Sequence, residues 1–148
     1  MAGVTTRPGR VLGVDLGAKR IGLALSDPTR TVASPHSVLL RARSHEVDHQ
    51  AIVATAREAD ATAIVVGLPL SLSGREGPAA QAALVEVDEL RNVAGPDFEV
   101  TVHDERLTTV VAERALREAR MKRDARRQVV DKVAAAVMLQ SWLESGGK

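Results

Sequence analysis

Apolar and polar positions along this chain follow two rhythms, and the shorter one comes first. Val11, Leu12 and Val14 form an apolar run that ends in Asp15, bracketed by Gly13 and Gly17; a second run covers 21–25. Two short aliphatic runs joined by a few residues predict a β-hairpin. Residues 31–40 (TVASPHSVLL) predict a third strand, which Pro35 confines to an edge or a bulge because proline offers no N–H to a ladder. Residues 63–67 (AIVVG) are continuously apolar, as expected of a strand covered on both faces. Residues 99–103 alternate and mark one more strand, running into Asp104, Glu105 and Arg106.

The longer rhythm is helical. Ser44 or Asp48 begins a helix reaching about Ala59, with Val47, Ile52, Val53 and Ala56 as its apolar stripe. A loop rich in Gly, Ser and Pro (68–77, LPLSLSGREG) leads into a second helix. There Pro78 suits the first turn, Ala83, Val87, Leu90 and Ala94 recur at helical spacing, and Gly95 and Pro96 end it. Thr108 or Thr109 caps a third helix bearing Val111, Ala112, Ala115, Leu116 and Ala119, and a last one runs from about Arg126 to Glu144.

An antiparallel start followed by right-handed β-α-β crossovers predicts an α/β fold. Its sheet is mixed and five-stranded, the first three strands antiparallel and the later ones parallel, with helices on its faces. The 148 residues suit one domain, 1–148, with 1–9 as a flexible lead. There is no internal repeat and no dividing linker.

Composition narrows the chemistry. No apolar run approaches a membrane span, and the start lacks a signal-peptide core. The absence of cysteine excludes disulfides and thiolate zinc sites and suits a reducing cytoplasm. Phe98 and Trp142 are the only Phe, Trp or Tyr residues, which disfavours modules that stack single-stranded bases on rings. The net charge of +1 hides a basic segment, Arg114, Arg117, Arg120, Lys122, Arg123, Arg126 and Arg127, diluted only by Glu118 and Asp124. Any nucleic acid bound here is held mainly by its phosphates.

Carboxylates stand at three places where a pattern asks for something apolar. Asp15 ends the first strand, Asp104 and Glu105 end the last, and Asp131 opens the final helix within VVDKVAAAVML. Ala135, Met138 and Trp142, at i+4, i+7 and i+11 from Asp131, are core candidates on its face. Singly, each has a bland explanation: an Asp often caps a turn, and an acid in a first helical turn suits the helix dipole. Together they suggest a site for divalent cations. Mg²⁺ or Mn²⁺ prefers hard oxygen ligands, and two such ions about 3.5–4 Å apart activate water and stabilise a leaving phosphodiester oxygen.

Four segments then carry a resemblance: GVDLGAKRIGLALSD, VVGLPLSLSG with Gly77 and Pro78, VHDERLTT, and VVDKVAAAVMLQSWL. In this order, and over nearly the whole chain, they resemble the YqgF (RuvX) family of Holliday-junction-resolvase-like and pre-16S rRNA processing nucleases. The resemblance implies an RNase H-like fold and metal-dependent phosphodiester cleavage, with Asp15, Glu105 and Asp131 as the catalytic metal ligands. Asp104 is the alternative to Glu105, because strand alternation turns only one of them to the site.

Lys19, Arg20 and Arg106 adjoin these acids, and Lys122 and Arg123 belong to the basic segment; all five are candidates for substrate phosphates. The 68–77 loop lacks the Lys-Ser/Thr ending of a P-loop. His45, Glu46, Val47, Asp48 and His49 spell H-E-x-x-H, but polar flanks and an acid inside the motif place it on an exposed helix start rather than in a zinc site. His36 and His103 suit strand packing or polar edges.

The expected function is a cytoplasmic, metal-dependent nuclease of structured nucleic acid. Pre-rRNA is favoured, with the ribosome or its precursor as a further partner. A junction resolvase acting on branched DNA, or a non-catalytic ribosome-associated module, is the alternative. Both monomer and homodimer are open.

Overall fold

The computed structural model describes residues 9–69, 77–104 and 123–146, with the side chains of the last segment from Lys132 onward. Three strands open the chain: β1 (Arg10–Leu16), β2 (Arg20–Ser26) and β3 (Ala33–Leu40). Then follow α1 (His45–Glu58), β4 (Ala61–Leu68), α2 (Pro78–Ala94), β5 (Glu99–Asp104) and α3 (Arg123–Glu144). The strands form one sheet in the order β3-β2-β1-β4-β5, antiparallel across β1, β2 and β3 and parallel from β1 through β4 to β5. This is the predicted mixed sheet, with β1 at its centre.

Alternation along the strands builds two cores. Leu12, Val14, Ile21, Leu23, Ile64 and Val66 face α1 and α2, meeting Ile52, Val53 and Ala56 of the first and Val87, Leu90 and Ala94 of the second. Val11, Ala24, Ala63 and Val65 face the other way, onto Ala135, Met138, Leu139 and Trp142 of α3. β4 is buried on both faces apart from Thr62. Pro35 sits on the edge strand where the β2–β3 register shifts, between Leu23–Ser37 and Ala24–Pro35, as its missing N–H requires. Among the described residues no helix is long and apolar enough to cross a membrane.

At α1 the first of two expected starts holds, and the expected apolar stripe changes. Ser44 is the N-cap, accepting from the Val47 amide at 3.1 Å, so the helix starts at His45 rather than Asp48. The buried stripe opens with Asp48 and His49, while Val47 is 53% exposed. The polar residues win the buried positions because partners meet them there, Arg41 and the Ala42 amide for Asp48 and Glu86 of α2 for His49. α3 begins at Arg123, three residues before the expected Arg126. The helix expected after Thr108 lies outside the described residues.

Candidate functional site

Asp15 occupies the penultimate position of β1, half-buried at the carboxyl end of the central strand. Its side chain is on the α3 face, since its neighbours Val14 and Leu16 pack toward α1 and α2. Glycines flank it in the sheet. Gly22 is its partner on β2, and Gly67 follows one step beyond the Val14–Val66 pair on β4. Gly67 pairs in turn with His103 of β5. The row across this face therefore reads Gly22, Asp15, Gly67, His103, with a carboxylate standing between two positions that have no side chain.

Gly13 brings α3 close to this row. A Cβ there would lie 2.9 Å from Leu139 Cβ and 3.4 Å from the Ala135 carbonyl oxygen. What comes close at this glycine is α3, through the Leu139 side chain and the Ala135 backbone. The helix direction follows from its flanks: Lys132 lines a cleft with His36, Ser37, Val38 and Leu40, whereas Gln140 accepts from the Ala33 amide at 2.8 Å. Leu40 is level with Arg20, next to the β1–β2 turn, and Ala33 is level with Ser26 at the far end. α3 thus enters at the Asp15 end of the sheet. Helix position 131 is one turn before Ala135 and lies at that end; Ala135, Met138 and Trp142, which follow it at helical spacing, are all buried.

Asp104 ends β5 and pairs with Leu68. Leu68 packs against Ala80 and Ala83 of α2, so alternation puts Asp104 on the face opposite Asp15. Glu105, Arg106 and Lys122 lie outside the described residues, as do the side chains of Arg123 and Asp131. Among the described residues, no three His, Cys, Asp or Glu side chains gather closely enough to hold a metal ion. Lys19 is exposed at the tip of the turn and Arg20 is half-buried. His103 bonds Ser141 Oγ through Nε2 at 3.0 Å, and burial holds its imidazole below the ordinary pKa, against an opposing pull from Asp104.

The H-E-x-x-H segment needs correction. His45 is exposed, but Asp48 and His49 are only 3% and 1% exposed. His49 Nε2 meets Glu86 Oε1 at 2.8 Å, while Arg41 donates to both Glu86 oxygens at 2.8 and 2.7 Å and to Asp48 at 3.1 Å. Burial pushes Glu86 up, but the bonds from Arg41 and His49 outweigh it and hold the carboxyl below its ordinary value. Sequence reasoning missed this network. Its one legible sign was an acid and a histidine side by side where the helical stripe begins.

A five-stranded sheet of this order, with an acidic end to its central strand beneath the last helix, defines the RNase H-like class of fold. Two solved structures share the fold: RuvC of Thermus thermophilus in complex with a Holliday junction substrate (TM-score 0.53, 16% identity) and a second Thermus thermophilus RuvC structure (TM-score 0.50, 14%). Each comparison covers 93% of this chain and 96% of the other. Within that class the chain belongs to the family described as "RuvX: Holliday junction resolvase", which residues 9–145 match.

Among its relatives, a Roseiflexus sp. (strain RS-1) protein is 45% identical over 96% of this chain and 99% of its own. One from Kineococcus radiotolerans is 49% identical over 94% of this chain and 73% of its own. One from Mycobacterium tuberculosis is 43% identical over 92% and 79%. All three bear the name "Putative pre-16S rRNA nuclease".

Proposed function

We propose that this protein is a metal-dependent nuclease that trims precursor 16S rRNA in the cytoplasm, with Asp15, Glu105 and Asp131 as its metal-binding carboxylates. The observation that carries this reading is Asp15 on the central strand, with Gly22 and Gly67 beside it and α3 entering overhead. A carboxylate set between two glycines at the strand end that α3 approaches suits a cation and a phosphate, whereas an acid serving only to cap a turn needs no glycine on either side. Asp104 faces the α2 side, which favours Glu105, the next residue in the alternation, as its replacement.

Carboxylate oxygens fit Mg²⁺ or Mn²⁺, which when bound would supply an activated water and stabilise the leaving oxygen. The chain's own part is to hold Asp15 on a rigid strand end and to meet phosphates with Lys19, Arg20, Arg106, Lys122 and Arg123. A single cut in a precursor RNA needs one site, so a monomer suffices; paired cuts in a junction call for a two-fold dimer.

Purified protein incubated with Mg²⁺ or Mn²⁺ on labelled precursor rRNA and on a four-way DNA junction tests this. Metal-dependent RNA cleavage, lost in Asp15→Asn, is expected. Symmetric cuts in the junction with the RNA untouched would transfer the substrate to DNA. A folded, fully active Asp15→Asn protein would exclude the site.

A further inference from the structure

Arg41 links the β1–β2 turn to both helices on the opposite face of the sheet. Its amide donates to the Lys19 carbonyl at 2.9 Å, and its Nε donates to the Gly17 carbonyl at 3.0 Å. Two of the three residues between β1 and β2 are therefore held by one residue. The remaining fork nitrogens are occupied by Asp48 of α1 and both oxygens of Glu86 of α2. Asp48 also accepts from the Ala42 amide at 2.7 Å, and His49 fills the remaining side of Glu86. Arg41 is 15% exposed and its acidic partners less than 10%.

A buried ionic cluster is an inefficient stabiliser, because apolar residues of the same volume commonly serve as well or better. What a guanidinium provides and a leucine does not is direction: its planar fork fixes several partners at set angles. Here one of those directions is the Gly17 carbonyl, two residues after Asp15. The turn is tight enough that a Cβ on Gly17 would lie 2.5 Å from the Arg20 carbonyl oxygen. Leu16, between Asp15 and Gly17, packs against Leu68, Ala80 and Ala83, so α2 grips the same strand end that Arg41 holds.

We propose that Arg41 is a positioning residue for the nuclease site, locking the 17–19 turn against α1 and α2 so that Asp15 keeps one orientation. This rests on the proposed role of Asp15. Arg41 touches no substrate. It acts through the turn, and Glu86 acts through Arg41.

The test compares wild type, Arg41→Lys and Glu86→Gln, with Arg57→Ala at the exposed Arg57–Asp97 pair as a neutral control. Cleavage kinetics on labelled precursor rRNA with Mg²⁺, Mn²⁺ affinity by calorimetry, and amide exchange of residues 16–20 are measured well below each melting temperature. For Arg41→Lys, kcat should fall by about 10–100-fold with little change in KM, as for a small misplacement of a reacting group. Mn²⁺ should bind more weakly, and the 16–20 amides should exchange faster than those of 11–14. Glu86→Gln should show the same pattern, more mildly.

A lower melting temperature with kcat and turn exchange unchanged would make Arg41 merely structural and overturn the proposal. So would a fall in kcat without faster turn exchange. Wild type that cleaves no substrate with either metal would instead remove the nuclease reading, and the role of Arg41 in it, whatever the turn does.

Discussion

At the scale of single residues, side-chain volume sets the geometry around Asp15. Gly13 is where α3 crosses β1, and alanine there would push against Leu139 and the Ala135 backbone. Gly13→Ala should therefore destabilise the fold by about 1–3 kcal/mol, read as a lower urea midpoint with unchanged slope. Because α3 also carries Asp131, cleavage should drop beyond what the unfolded fraction explains. Asp15→Asn should do the opposite to stability. With Asp15, Glu105 and Asp131 converging as proposed, removing one carboxylate relieves their repulsion in the metal-free protein, so its melting temperature should equal or exceed wild type while cleavage is lost.

At the scale of elements, α1 and α2 are joined by charge as well as by apolar packing. Glu86→Ala would leave the Arg41 guanidinium and His49 without their main partner, a change expected to cost about 3–5 kcal/mol in denaturant unfolding. The same carboxyl sets an acid limit. Burial raises its pKa, but the bonds from Arg41 and His49 and the charges of Arg41 and His45 outweigh it and hold the value below the ordinary 4.5. The folded protein binds that proton less readily than the unfolded chain does. The stabilisation is therefore complete above the unfolded value and is lost as pH falls through the folded one. Melting temperature measured down through pH about 4.5 should decline more gently in Glu86→Gln than in wild type.

α3 is fixed by a different kind of contact. Gln140 bridges the Ala33 amide and the Thr31 carbonyl, and Arg30 lies over the Trp142 ring at 5.9 Å. These anchors hold its far half against β3 and the preceding loop. Its first turns are left to carry Asp131 and to follow the basic segment.

At the scale of the whole molecule, substrate binding should be dominated by phosphates. The chain has one Phe, one Trp and no Tyr for stacking, and Lys19 and Arg20 stand at the Asp15 end of the sheet. Affinity for RNA should fall steeply with salt and vary little with base sequence. Lys122→Ala with Arg123→Ala should weaken binding to all sequences and flatten the salt slope by about one unit per lost contact, leaving Mn²⁺ affinity intact. A slope unchanged by the double substitution would place the phosphates elsewhere.

How far this protein was legible from its chain depends on the range of the forces involved. Strand and helix periodicity, the proline-limited edge at Pro35 and the acidic end of β1 are local properties, written in neighbouring residues. The sequence by itself determined the mixed sheet and the candidacy of Asp15. Which polar groups are buried was decided only by the tertiary structure. Asp48 and His49 read as solvent-facing because their partners, Arg41 and Glu86, come from the loop before α1 and from a helix 37 positions beyond His49. That Asp104 lies on the α2 side likewise needed the register of β5 on β4, since alternation defines two faces but only packing says which one α3 covers. Tertiary contact supplies the counter-charges and the sidedness that no local pattern encodes.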